Sequence, residues 1–141
     1  MKVAIASDHA GFPLKQHLVK FLSDKGYEVS DLGTDSTESC DYPVFADKLC
    51  RTISDGTCQL GILVCGTGIG MSMAANKHKG IRAAVCENTF SSEFTRRHNN
   101  ANVLCLGARV IGSGLAEKIT ETFLESPFEG GKHQRRIDMF D

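Results

Sequence analysis

A cysteine followed by alternating glycines, at the end of an apolar run, is the part of this sequence most suited to chemistry. Residues 60–75 read LGILVCGTGIGMSMAA, so that Cys65 precedes Gly66, Gly68 and Gly70. Glycines at this spacing let the backbone turn tightly and direct several N–H groups toward one point. The small residues that follow are compatible with a helix, whose amino end also favours negative charge. The segment predicts a site for an anion or a developing oxyanion, with a thiol beside it.

The spacing of these glycines excludes two common phosphate-binding loops. A dinucleotide-binding G-x-G-x-x-G pattern that starts at Gly66 would need glycine where the sequence has Met71. No Gly-Lys-Ser/Thr follows, so a Walker loop is absent as well. A nucleotide-binding oxidoreductase is therefore disfavoured, and a tight strand–helix turn without function remains the competing interpretation of the glycines.

Length, charge and cysteine usage limit the class of protein. The chain has 141 residues and a net charge of −1, which predicts one domain and argues against nucleic-acid or membrane partners. Its amino-terminal residues do not resemble a signal peptide. The six cysteines are widely spaced and lack a C-x-x-C pair, so we expect free thiols in a reducing cytoplasm and no zinc site.

Strand and helix patterns alternate along the whole chain. Strands are predicted at Lys2–Ser7, Tyr27–Asp31, Leu60–Cys65, Ile81–Cys86 and Asn102–Leu106. Helices are predicted at Phe12–Lys25, Pro43–Ser54, Gly70–Lys79, Thr89–His98 and Ile111–Leu124, followed by a basic tail. The third and fourth strands are almost continuously apolar, as in strands that are buried on both faces. The pattern predicts an α/β protein, a Rossmann-like three-layer α/β/α sandwich with a five-stranded parallel sheet, as one domain over residues 1–141.

Polar residues follow several of these strands, and ligands of such sheets bind outside the carboxyl ends of the strands. The residues in these positions are Asp8, His9, Cys65, Glu87, Asn88 and Arg109. We expect them to converge on one cleft. The remaining cysteines are interpreted as buried hydrophobes. His17, His78 and His133 are interpreted as solvated, whereas His9 and His98 each adjoin a polar partner.

Spaced motifs over nearly the full length carry a family resemblance. They are SDHAGF at Ser7–Phe12, DYP at Asp41–Pro43, GILVCGTGIGMSMAANK at Gly61–Lys77, GIRAAVC at Gly80–Cys86, HNNANVL at His98–Leu104 and F-x-GG-x-H-x-x-R at Phe128–Arg136. With these motifs in this order, the chain resembles the type B ribose-5-phosphate isomerases. That group belongs to a wider one that includes the subunits of galactose-6-phosphate isomerase. The resemblance implies interconversion of ribose 5-phosphate and ribulose 5-phosphate without a metal or an organic cofactor.

The same resemblance implies roles for individual residues. Cys65 would be the base that removes the C2 proton, and His98 with Asp8 would assist ring opening. Thr67 would stabilise the enediolate together with the loop amides of Gly66, Gly68, Ile69 and Gly70. A positioned base contributes on the order of 10²–10⁴-fold to a rate, and each oxyanion donor on the order of 10²–10³-fold.

Substrate binding is also implied by the resemblance. Asn99 would bind a sugar hydroxyl, and the phosphate would be held by His9, Arg109, Lys132 and Arg136. Position 132 departs from the family, in which arginine is usual. Lysine keeps the positive charge but cannot make the bidentate hydrogen bonds of arginine, which predicts weaker binding of the phosphate.

Topology predicts that the site is shared between subunits. His98 and Asn99 precede the fifth strand and so lie at the amino edge of the sheet, whereas Cys65 lies at the carboxyl edge. A strand of five residues separates these edges by roughly 17 Å. If both groups act on one sugar, His98 must come from a second subunit, which predicts a homodimer, or a tetramer, with shared sites. A six-carbon substrate (allose or galactose 6-phosphate) and a sugar-phosphate binding module without catalysis remain the alternatives.

Overall fold

The structure is a computed structural model that describes every residue from Met1 to Asp141. Five parallel strands form one sheet in the order β2-β1-β3-β5-β4. The strands are β1 (Lys2–Ser7), β2 (Glu28–Asp31), β3 (Leu60–Cys65), β4 (Ala83–Val85) and β5 (Val103–Gly107). The helices are α1 (Phe12–Asp24), α2 (Tyr42–Ser54), α3 (Ile69–Ala75), α4 (Thr89–Asn99), α5 (Ser113–Glu125) and α6 (Lys132–Ile137).

Two apolar layers, one on each face of the sheet, form the core. Ile62 and Val64 of β3 pack with side chains of α1 and α5 on one face. Leu63 and Cys65 pack with side chains of α2 and α3 on the other. Successive side chains of a strand point to opposite faces, so β3 is buried along its whole length. The predicted three-layer sandwich with a five-stranded parallel sheet is confirmed, and most predicted element ends lie within two residues of the observed ones.

The strand order creates a crevice between β1 and β3. From β1 the chain moves outward to β2 on one side, and it then returns past β1 to form β3 on the other side. Ligands of open α/β sheets bind at such a switch point, beyond the carboxyl ends of the strands. Asp8 follows β1 and Cys65 ends β3, so the fold places these two residues on either side of the crevice.

The prediction that the fourth strand is buried on both faces is wrong. β4 spans only Ala83–Val85, and all three of its residues are half-buried. Because β5 lies between β3 and β4, β4 has a single neighbour and forms one edge of the sheet.

Helix α3 ends at Ala75, four residues before the predicted end at Lys79. The side chain of Asn76 accepts a hydrogen bond from the Ala83 amide over 2.8 Å and donates one to the Ala83 carbonyl over 2.9 Å. These two bonds attach the chain to the start of β4, and a turn replaces the last turn of the predicted helix.

The basic tail contains a helix that the sequence pattern did not predict. Gly130 and Gly131 have positive φ angles of 70° and 58°, a conformation that favours glycine, and α6 begins directly after them. The helix packs against α4 and buries Ile137. None of the helices is long and apolar enough to span a membrane.

Candidate active site

The sulfur of Cys65 lies within the glycine loop that follows β3. The Gly68 amide donates a hydrogen bond to Cys65 Sγ over 3.1 Å, and the side chain is 6% exposed. Gly68 has φ 80°, and a Cβ atom there would lie 3.1 Å from the backbone of Leu106. Only glycine fits this conformation and this contact, so the loop is built to bring backbone donors against the sulfur.

Two side chains complete the donors around this loop. The Thr67 hydroxyl accepts a hydrogen bond from the Ile69 amide over 3.2 Å, which leaves its proton free to donate. The Arg109 amide donates to the carbonyl of Gly66 over 3.0 Å, and its guanidinium lies against the same residue. Arg109 is exposed and forms no ion pair, so its charge is available to an anion at the loop.

Asp8 lies across the crevice from Cys65. Its amide donates to the carbonyl of Val64 over 3.2 Å, and its Oδ1 accepts from the Gly11 amide over 3.0 Å. A Cβ atom at Gly11 would lie 2.4 Å from the Val64 carbonyl oxygen, so glycine is required for this close approach. The carboxylate is thereby held with Oδ2 free of any hydrogen bond from the chain.

His9 and two residues that sequence reasoning did not assign to the site lie beside this crevice. The Cys40 amide donates to His9 Nδ1 over 3.3 Å, and the half-buried Cys40 sulfur is 4.0 Å from the same nitrogen. The ring of Tyr42 covers Gly70, where a Cβ atom would approach it to 2.8 Å. The DYP motif was the available signal for Tyr42, and nothing in the local pattern pointed to Cys40.

Glu87 and Asn88 do not join the cleft, and that part of the prediction is wrong. They follow the edge strand β4, which β5 separates from β3. The side chain of Asn88 instead caps α4, accepting from the Ser91 amide over 2.7 Å, and Glu87 is exposed.

His98 and Asn99 lie at the opposite edge of the sheet from Cys65. They form the last turn of α4, and the carbonyl of Asn102, directly before β5, accepts from the amide of Gly61 over 2.9 Å. Gly61 lies near the amino end of β3, and Cys65 ends that strand. A strand of this length spans about 17 Å. The predicted placement of these residues at opposite edges of the sheet is confirmed.

Lys132 and Arg136 lie at the same edge of the sheet as His98 and not at the edge that carries Cys65. Both lie on α6, which packs against α4, and the Glu129 amide donates to the carbonyl of Arg97 over 3.0 Å. The predicted site residues thus form two separate groups in one chain. The carboxyl-edge group contains Asp8, His9, Cys65, Gly66, Thr67, Gly68, Ile69, Gly70 and Arg109. The amino-edge group contains His98, Asn99, Lys132 and Arg136.

Two of the histidines interpreted as solvated make specific contacts. The His133 side chain is 13% exposed and stacks on His98 with ring centroids 4.2 Å apart. His78 is half-buried, and its Nε2 lies 2.9 Å from an oxygen of Asp47. His17 is exposed, as expected, and pairs with Glu117. Partners 30 or more residues away gave no local signal for the first two contacts.

Burial keeps three other thiols in the neutral form. It raises the pKa of Cys50 to about 12 and that of Cys86 to about 11. It also raises the pKa of Cys105, which is fully buried. These three are neutral thiols near neutral pH and serve as core residues. All six cysteines are free.

The fold and this site define a class: a doubly wound α/β protein whose crevice carries a thiol, a loop of backbone donors and an exposed arginine. The chain belongs to the Ribose/Galactose Isomerase family, whose sequence profile it matches over residues 3–140. The family resemblance read from the sequence motifs is confirmed, and the protein is an isomerase.

Individual relatives agree with this assignment. The chain is 46% identical over 137 residues to ribose-5-phosphate isomerase B of Escherichia coli, covering 97% of this chain and 92% of that protein. It is 45% identical over 139 residues to D-erythrulose-4-phosphate isomerase of Pectobacterium atrosepticum, covering 98% and 91%. A solved ribose 5-phosphate isomerase from Thermotoga maritima superposes with a TM-score of 0.98 at 52% identity, covering 99% of this chain and 97% of that one.

Proposed function

We propose that this protein interconverts D-ribose 5-phosphate and D-ribulose 5-phosphate through an enediolate, with Cys65 as the base. The observation that carries the proposal is the 3.1 Å hydrogen bond from the Gly68 amide to the Cys65 sulfur within a loop of backbone donors. The bond holds the sulfur at the point to which the loop directs its backbone N–H groups, next to the place where negative charge develops on the substrate.

The chemistry needs one proton moved between adjacent carbons. Cys65 takes the C2 proton of the open-chain aldose, the C–H electron pair becomes the C1=C2 bond, and the carbonyl pair moves onto O1. Donors from Thr67 and the loop amides stabilise the negative oxygen. The thiol then returns the proton to C1, the O2 hydrogen is transferred to O1, and the C2=O bond forms as the C1=C2 pair takes up the proton at C1, which gives the ketose. No hydride or electron carrier takes part, which agrees with the absence of a dinucleotide loop.

Substrate binding divides between the two groups of residues. His9 and Arg109 meet the phosphate from the carboxyl-edge group, and Lys132 and Arg136 meet it from the amino-edge group. His98 with Asp8 moves protons during ring opening, and Asn99 binds a sugar hydroxyl. One chain holds these groups at opposite edges of its sheet, so a complete site contains both groups only when two chains contribute.

We therefore propose a homodimer, alone or within a tetramer, whose sites lie between subunits. Exposed apolar side chains support this arrangement. Ile69 and Met73 of α3 are 49% and 65% exposed, and Phe90 of α4 is 71% exposed. These two helices flank the half-buried edge strand β4, and a two-fold interface would use the same patch on both subunits.

Residues 1–141 are proposed to act as a single sugar-phosphate isomerase domain in the cytoplasm, in pentose phosphate metabolism. Six free thiols are the state that a reducing cytoplasm maintains. The chemistry proposed above requires neither a metal nor an organic cofactor.

The same chemistry could act on sugar phosphates with four, five or six carbon atoms, and an assay must distinguish them. The name of the family includes both ribose and galactose, and the relative from Pectobacterium atrosepticum is a D-erythrulose-4-phosphate isomerase. The test is ketose formation by purified protein from ribose 5-phosphate, allose 6-phosphate and galactose 6-phosphate, with ketose consumption from erythrulose 4-phosphate. We expect the highest kcat/KM for ribose 5-phosphate. A higher value for a tetrose or hexose phosphate would reassign the substrate, and binding without turnover of any would indicate a binding module.

A further inference from the structure

Two histidines and a carboxylate meet beside the last turn of α4. The rings of His98 and His133 stack with centroids 4.2 Å apart and an interplanar angle of 10°. Their Nε2 atoms lie 3.8 Å and 3.6 Å from the same oxygen, Oε1 of Glu129. His98 is 41% exposed and His133 is 13% exposed, so only the first presents its ring to a ligand.

Arg97 holds the carboxylate of Glu129 in place. Its Oε2 accepts from Arg97 Nε over 2.6 Å, and Arg97 also donates to Glu93 over 2.8 Å. The Arg97 guanidinium holds the pKa of Glu129 below its ordinary value, so this group is ionised near neutral pH. Burial, with the charge of His98 second, lowers the pKa of His133, which favours its neutral form. A fixed negative charge and a neutral ring therefore adjoin His98.

A second aromatic ring also packs against His98. The ring of Phe94 meets it edge-on, with centroids 4.9 Å apart. With the ring of His133 stacked on it and the ring of Phe94 packed edge-on against it, the imidazole of His98 has little rotational freedom. A side chain that is locked by its neighbours loses less entropy when it acts on a substrate.

A metal ion is the other use that two histidines and a glutamate suggest. The three ligand atoms lie within 4.8 Å of one another. A ring nitrogen donates its lone pair in the plane of the ring, however, and these two planes are almost parallel. Their lone pairs cannot both be directed at one ion, so the geometry does not favour a tetrahedral site.

We propose that His133 and Glu129 are positioning residues that orient His98 for opening the sugar ring. The proposal rests on the function proposed above. In that step the C1–O4 bond breaks, its electron pair stays on O4, and O4 receives a proton. The O1 hydroxyl gives up its proton as the C1=O bond forms. His98 transfers one of these protons. Glu129 places a carboxylate oxygen 3.8 Å from His98 Nε2, and the stacked His133 keeps the ring directed outward.

The two directions of the reaction separate this role from proton abstraction. Ribose 5-phosphate is a closed ring and must be opened. Ribulose 5-phosphate is open-chain because its O5 carries the phosphate, so its initial rate of conversion needs the base and not the ring-opening step.

The variants to be compared are His133→Ala, Glu129→Gln and His133→Phe, the last of which retains a stacked ring. His17→Ala, which breaks an exposed pair with Glu117, is the matched control.

We expect His133→Ala and Glu129→Gln to lower the initial rate from ribose 5-phosphate on the order of tenfold or more, part of what a positioned acid or base contributes. Their initial rate from ribulose 5-phosphate should stay within about twofold of wild type, and His133→Phe should exceed His133→Ala in the forward direction. Equal losses in both directions, or no loss in either, would overturn the proposal. Saturable Zn²⁺ binding that raises activity and disappears in His133→Ala would overturn it in favour of a metal site.

A different result in the same assay would contradict the proposed function, in which Cys65 is the base. Cys65→Ala should lose both directions, and retention of either rate would remove Cys65 as the base while leaving the comparison among the histidine variants intact. Circular dichroism of each variant establishes that it is folded. If His133→Ala does not fold, Glu129→Gln and His133→Phe carry the test.

Discussion

The sulfur of Cys65 accepts a hydrogen bond from the backbone amide of Gly68, three residues further along the chain, over 3.1 Å. The bond joins the end of the central strand β3 to the turn that begins α3. The position of this thiol is thus set by the backbone of the glycine loop, and the loop cannot shift without moving the sulfur.

Replacing this thiol is expected to remove catalysis and not binding. Cys65→Ala should lower kcat for ketose formation by at least about 10²-fold, the smaller end of what a positioned base contributes. Substrate affinity should remain because the phosphate contacts are unchanged. Cys58→Ala is the control, since Cys58 is equally buried but lies before the amino end of β3. Near-normal turnover in Cys65→Ala would contradict the assignment.

The buried thiols should be inert until the solution is strongly alkaline. Because burial raises the pKa of Cys50 to about 12 and that of Cys86 to about 11, both stay neutral in the folded protein at pH 8. Iodoacetamide followed by peptide mass mapping should leave both unlabelled in buffer and label both in urea. Rapid labelling of either in the native protein at pH 8 would show that its burial is incomplete.

The same two thiols predict a direction for the pH dependence of stability. Their folded pKa values lie above the ordinary value of 9.0, so the neutral thiol stabilises the folded state below pH 9. That contribution is lost as the pH rises from 9 toward 11 and 12. The free energy of unfolding, measured with urea, should therefore fall between pH 8.5 and 10.5, and Cys50→Ala should reduce this fall.

Lys132 is expected to affect phosphate affinity more than chemistry. It is exposed on α6 and forms no ion pair within the chain, so its charge is free for a ligand. Lys132→Ala should raise KM more than it lowers kcat, and Lys132→Arg should bind as well or more tightly because arginine restores a bidentate contact. Lys118→Ala, an exposed lysine of α5, is the control. Equal KM values across all the variants would show that α6 does not reach the phosphate.

A mixing experiment tests whether sites are shared between subunits. Cys65→Ala and His98→Ala should each be nearly inactive, because each lacks one of the two groups. In a shared-site dimer, a hybrid has one site with both defects and one intact site. Equimolar mixing with full exchange should then restore about a quarter of wild-type activity, since half the dimers are hybrids with one working site each. No recovery, when native mass spectrometry shows that subunits have exchanged, would mean that His98 serves its own chain or has no catalytic role.

Much of the fold could be predicted from local pattern. The run Leu60–Cys65 was predicted with its observed bounds, because an apolar segment followed by glycines leaves few other structures. The element that was missed, α6, begins after Gly130 and Gly131 in a polar segment. Its single buried apolar residue, Ile137, gives no helical period. The burial of β4 was overestimated because the same alanines fit an edge strand and a central one.

The sequence by itself determined the alternation of strands and helices and the glycine loop with its thiol. It also placed Cys65 and His98 at opposite edges of a parallel sheet. All of these follow from residue types and spacings within a few turns of chain. Only the tertiary structure decided that β5 separates β4 from β3, that Lys132 and Arg136 accompany His98, and that His133 stacks on it. The physical reason is that strand order and contacts between residues 30 or more positions apart depend on how whole helices pack, which no local pattern encodes.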